Sequence, residues 1–198
     1  MSETQVPAPY LDMPVGRFLD ALSATTPDPS GGAAAALAVT LAAGLCVMTA
    51  GLSARRLPEA QRLAGQARLL RDRAAPLAQA DAEAYRAVLA ALRARDTGTT
   101  NPPQIAAALS QACVVPMEVA EIGAEVAALA VAVAAGGNPN VRGDAITAAL
   151  LAAAGSRAAA ALVRINLAGA EGDDRPARSE RLAAGAARLA ASAERTIR

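Results

Sequence analysis

The chain has 198 residues, enough for one compact domain whose core needs no disulfide or metal. All 19 basic residues are Arg and there is no His, which excludes Schiff-base lysine chemistry and the commonest general base and metal ligand. With 18 acids the net charge is +1, so no overall field recruits nucleic acid or an anionic membrane.

Hydrophobic residues make up 54% of the chain but aromatics only 2%, so the core must be built from Ala, Leu, Val and Ile. Ala and Leu are strong helix formers, and the residues that favour strands are sparse. The expected class is all-α: an antiparallel bundle of about six helices forming a single domain over 1–198. Asp12 followed by Pro14 predicts a cap and first-turn proline for a short helix to about Ala24. A stiff loop, Thr25 to Gly32, follows. Gly31 to about Ser53 carries no charge and reads as a fully buried central helix. It is long enough to span a bilayer, yet it is mostly Ala and Gly with no aromatic belt, which favours burial in the protein.

Arg55-Arg56-Leu57-Pro58 breaks the chain, and a third helix is expected from Pro58 to about Arg95, kinked at Pro76. After a loop from Asp96 to Pro103, a fourth helix runs to about Ala135 with a kink at Pro116. Gly136-Gly137-Asn138-Pro139-Asn140 stops it. A fifth helix covers about Val141 to Ala168, and a sixth about Arg175 to Thr196. Cys46 and Cys113 sit far apart in apolar surroundings and read as buried, inert thiols; no zinc spacing exists. The first residues lack a basic region followed by an apolar stretch, so a cytoplasmic location is expected.

Three places can carry chemistry. The Pro29-Ser30-Gly31-Gly32 loop offers backbone N–H groups at a helix start, where anions are attracted. A tight packing turn has the same sequence, and shape alone favours it. Asp81 and Tyr85 lie one turn apart on the third helix, near Leu77 and Val88. Asp81 is therefore either a partly desolvated carboxylate or a surface acid beside Arg86, and spacing leaves both open. The Gly136 to Asp144 corner holds Asn138, Asn140, Arg142 and Asp144; one of them caps a helix, leaving another free for a ligand. Glu118, Glu121 and Glu125 form a stripe on the fourth helix, the pattern of a solvated face. Arg157 and Arg164 share a face of the fifth. Asp144 and Asn166 are 22 residues apart, roughly 33 Å along a continuous helix, so only a second subunit lets both serve one small site.

These segments, in order, resemble the formimidoyltetrahydrofolate cyclodeaminase / methenyltetrahydrofolate cyclohydrolase family. The matching stretches are Phe18-Leu19 with the glycine loop, Asp81-Ala82-Glu83-Ala84-Tyr85, Val115-Pro116-Met117-Glu118-Val119-Ala120-Glu121, Gly137-Asn138-Pro139-Asn140 through Asp144-Ala145, and Val163-Arg164-Ile165-Asn166-Leu167. Two departures are visible. The family loop reads Pro-Gly-Gly-Gly-Ser where this chain has Pro29-Ser30-Gly31-Gly32-Ala33, and the family Ser-Asp is here Gly143-Asp144.

The resemblance implies a cyclodeaminase-like α-helical homodimer with folate sites near the subunit interface. The reaction would be hydrolysis of the cationic methenyl bridge of 5,10-methenyltetrahydrofolate, with no metal or tightly bound cofactor and the tetrahydrofolate derivative as substrate. Asp81 and Asp144 are the catalytic candidates, because a carboxylate can stabilise the cation and take a proton from water. Ser30, Gly31, Gly32, Tyr85, Glu121, Asn138 and Asn140 are the substrate-binding candidates, with Arg side chains for the glutamate tail. The lack of an attached formiminotransferase domain favours cyclohydrolase over the alternative, cyclodeaminase with release of ammonia. A relative acting on another substrate, and a non-catalytic folate-binding or scaffolding dimer, are the remaining readings.

Overall fold

The computed structural model describes residues 9–197, and among them every regular element is helical. Eight α-helices follow in order: α1 Val15–Leu22, α2 Gly31–Leu52, α3 Ala60–Ala74, α4 Leu77–Asp96, α5 Pro102–Ala112, α6 Val114–Gly136, α7 Arg142–Asn166 and α8 Arg175–Glu194. Short 3-10 turns occupy Tyr10–Asp12, Pro139–Val141 and Arg195–Ile197. The count exceeds the expected six because two prolines break helices rather than kink them. A proline ring collides with the carbonyl four residues back and leaves it without a donor. Pro76 therefore ends α3 at Ala74, and Pro116 ends α5 at Ala112 with the break at Cys113.

Several boundaries shift from expectation. The first helix is capped at Pro14, not Asp12, which belongs to the preceding 3-10 turn. That helix ends at Leu22 rather than near Ala24, and α3 begins at Ala60 instead of Pro58. The last two helices end a turn or less short of prediction, at Asn166 and Glu194.

Helix α7 is the hub, packed against α2, α6 and α8. It runs antiparallel to α6, since Cys113 and Met117 meet Val163 and Leu167 in one apolar cluster. It is antiparallel to α8 as well, with Arg142 Nη1 donating to the Thr196 carbonyl at 2.8 Å. Alanines make these crossings close. A Cβ on Gly155 would lie 2.6 Å from Val39 Cγ2 and 3.0 Å from the Ala35 carbonyl, so α2 and α7 approach almost backbone to backbone there.

Helix α2 is not fully buried, which corrects the sequence expectation. Its inner face, including Ala33, Ala36, Val39, Ala43 and Cys46, is sealed, but Leu41, Met48 and Leu52 stand 64%, 41% and 56% exposed. The absence of charge thus marks a helix with one face in the core and a second, equally apolar face pointing outward. Length and apolarity alone qualify three stretches to cross a membrane: Gly31–Leu52, Pro102–Gly136 and Pro139–Asn166. The sequence reading singled out only the first. About half of each is buried inside the bundle, against the other two and their neighbours.

Candidate functional site

Among the described residues Asp81 is the only carboxylate or guanidinium that is buried. It sits on α4 facing the first turn of α2. Ser30 Oγ donates to Asp81 Oδ2 at 3.0 Å, and the Ala33 amide faces the same carboxylate. The anion at this helix start is thus one of the protein's own side chains, and the loop amides are not wholly free, as the sequence reading had them. Gly32 is required here: a Cβ on it would fall inside the Asp81 carboxylate. Burial pushes the Asp81 pKa above the ordinary carboxylate value. The Ser30 hydroxyl and the Ala33 N–H pull it back in part, and the nearby Asp28 charge pushes it further up.

Beside this pair lies a linked set in which Tyr10, Asp28 and Gln79 were not singled out by sequence spacing. Tyr10 donates its hydroxyl to Asp28 Oδ1, and Arg86 Nη1 meets Asp28 Oδ2 at 3.3 Å. The Tyr10 backbone N–H reaches Gln79 Oε1 at 3.4 Å. Arg86, the neighbour that sequence spacing offered Asp81, pairs with Asp28 instead. Tyr85 lies one turn beyond Asp81 and is 39% exposed. The legible signal for Asp28 was its place between Pro27 and Pro29, directly before Ser30.

The second candidate cluster forms at the other end of α2. Asn138 donates its backbone N–H to Ser53 Oγ at 2.9 Å and its side-chain amide to the Leu52 carbonyl at 3.3 Å. Its side-chain oxygen accepts from Asn140 N at 3.0 Å, so Asn138 is the capping residue of this corner. The side chains of Asn140 and Asp144 make no hydrogen bond to other described residues, and Asp144 is half-buried in the first turn of α7. Asp81 and Asp144 therefore mark opposite ends of the 22-residue α2, about 30 Å apart. Within one chain they do not converge.

Glu121 joins neither cluster. It pairs with Arg178 at 2.9 Å, and Glu118 pairs with Arg73 at 3.4 Å. Arg157 and Arg164 line an open groove of about 450 Å³ between α7 and α8, where Arg164 faces Glu180 at 3.8 Å. A second groove, about 520 Å³ between α3 and α6, is lined by Leu69, Leu70, Arg73 and Glu125. Neither groove reaches Asp81 or Asp144. Among the described residues no three His, Cys, Asp or Glu side chains are grouped to hold a metal ion.

An all-helical bundle with a glycine loop closed on a buried carboxylate defines the class, and comparison with known proteins gives the family. Residues 14–184 match the family model for formiminotransferase-cyclodeaminase, and the chain belongs to that family. It is 33% identical over 175 residues to a methenyltetrahydrofolate cyclohydrolase of Methylorubrum extorquens, with 83% of each chain covered. The crystal structure of formiminotetrahydrofolate cyclodeaminase from Thermotoga maritima superposes with a TM-score of 0.83 over 94% of this chain and 96% of that one. At 23% identity the likeness speaks for the fold.

Proposed function

We propose that this chain is a folate one-carbon enzyme that hydrolyses the cationic methenyl bridge of 5,10-methenyltetrahydrofolate. The observation that carries the reading is Asp81, a buried carboxylate whose pKa is raised and which two donors keep oriented. A delocalised amidinium carbon is drawn to such an anion. Water adds to that carbon, and Asp81 accepts the proton the water gives up. One carbon–nitrogen bond of the adduct then breaks, the departing nitrogen keeps the electron pair and takes up a proton as the adduct's hydroxyl gives one up, and the carbon is left as a formyl group. The sum is substrate cation plus water going to formyl product plus a proton. The cyclohydrolase name of the 33% identical relative supports this direction of chemistry.

The second half of the site, Asp144 with Asn138 and Asn140, we assign to a partner copy. The outward face of α2 presents Leu37, Leu41, Leu45, Met48 and Leu52 with no charge among them. Two such faces packed antiparallel about a two-fold axis bring the first turn of one α2 beside the last turn of the other. That arrangement sets Asp81 of one copy near the partner's Asn138 corner and closes the 30 Å gap.

The direct test is to follow the absorbance of methenyltetrahydrofolate with purified protein at several pH values. Acceleration over buffer supports the reading. A buffer-level rate throughout overturns it.

A further inference from the structure

The N-terminal segment is fastened to the Asp81 site by contacts that the proposed chemistry leaves unused. The loop before α2 is stapled to α4 at two points: Asp28 to Arg86 at 3.3 Å, and Ser30 to Asp81 at 3.0 Å. Tyr10 clamps the outer staple with its hydroxyl and grips α4 again through Gln79. Its ring meets Phe18 edge-on, with centroids 5.5 Å apart and planes at 72°. Phe18 is the one buried residue of α1, while Leu11, Val15 and Leu19 face outward. The chain has only three aromatic residues, Tyr10, Phe18 and Tyr85, and all three lie in this N-terminal segment or on the α4 turn that follows Asp81. A merely structural clasp needs the ring contact alone. The hydroxyl does something separate: it fixes the carboxylate two residues before Ser30.

We propose that Tyr10 is a positioning residue of this site, acting through Asp28 to keep the Ser30–Ala33 turn seated on Asp81. The inference rests on the reading of Asp81 as the base. Burial and the Asp28 charge push the Tyr10 phenol up, so it remains a protonated donor throughout the neutral range. Releasing Asp28 loosens the Ser30 hydroxyl and the Ala33 N–H from Asp81, and both of these hold the Asp81 pKa down. The charged and titratable groups around Asp81 are few. Asp28 acts on it directly, Tyr10 and Arg86 are bound to Asp28, and on α4 itself Tyr85 follows one turn on while Glu83 is held by Gln79. Helices α2 and α5 carry no charged side chain, and Glu118 and Glu121 of α6 are paired with Arg73 and Arg178.

Two substitutions separate the hydroxyl from the ring. Tyr10→Phe keeps the contact with Phe18, and Tyr10→Leu removes both. If the hydroxyl positions the site, both variants move the acid limb of kcat/KM to higher pH. The loss below the limb is about three- to tenfold, the range of one hydrogen bond. Amide exchange in residues 24–33 accelerates by about tenfold in both, while α7 is unaffected. An acid limb of Tyr10→Phe that overlays the parent overturns the proposal, as does unchanged exchange in 24–33 with only Tyr10→Leu impaired. A parent protein with no turnover sinks the folate reading instead, and the exchange comparison still decides whether the hydroxyl holds the turn.

Discussion

The Asp81 carboxylate occupies the space in which a side chain on residue 32 would begin, so Gly32 and Asp81 are one unit although 49 positions separate them. Gly32→Ala must displace either the carboxylate or the helix. Overpacking of this kind costs about 1–3 kcal/mol, which in a chain of this length lowers Tm by roughly 3–10 °C. Turnover falls by at least about tenfold with it. Gly65→Ala, on the exposed side of α3 where an added methyl meets nothing within 4 Å, raises Tm slightly. Thermal melts of the two variants side by side check the pair.

Asp81→Asn separates function from stability. The folded-state pKa of Asp81 lies above its unfolded value, so folding favours the protonated acid. The stability this confers is complete below the ordinary aspartate range and is lost as pH rises through the folded value. An uncharged Asn avoids that loss. The expected outcome at pH 7 is turnover reduced by about 10²–10⁴ with Tm unchanged or higher. A Tm that drops by several degrees, or activity that survives, contradicts the assignment.

How much of this was legible follows from what each signal depends on. The limits of α2 could be read from the chain because a charge-free run opening on two glycines is a local pattern. Its second apolar face was not, since a composition with no polar stripe looks the same whether one side or both are covered. Pro76 and Pro116 announced disruption, but whether a helix bends or breaks depends on what the neighbours can support. How Tyr10, Asp28 and Arg86 combine was out of reach for a different reason. Their contacts link positions 18 and 58 apart, and no periodicity encodes such distances. Family resemblance named both the glycine loop and the Asp81 motif; only the fold shows that they touch.

Ser30→Ala tests the electrostatics of the turn. Removing the hydroxyl deletes a donor that stabilises the Asp81 anion, so the carboxylate holds its proton to higher pH. The acid limb of the rate profile should move upward while the alkaline plateau changes little. A limb that moves downward, or stays in place, shows that this hydroxyl does not set the base.

Mixing tests the shared site. Asp81→Asn and Asp144→Asn proteins, each impaired alone, recover about a quarter of parental activity when unfolded and refolded together. In that mixture half of the dimers carry one intact site of two. Leu41→Arg, which puts a charge in the middle of the outward α2 face, yields monomers by sedimentation and abolishes the recovery. No recovery in a mixture that has demonstrably exchanged subunits places both carboxylates outside any common site.

The near backbone-to-backbone crossing at Gly155 has a consequence for how this protein can change. A helix clamped that tightly cannot slide or bow, so α2 behaves as a fixed measuring rod between the two polar clusters at its tips. Inserting a single residue in it turns everything downstream by about 100° and advances it by about 1.5 Å. That one step turns the oily outer stripe downstream of it and throws the two tips out of alignment with each other. Lengthening is therefore a far harder evolutionary move here than any exchange of side chains.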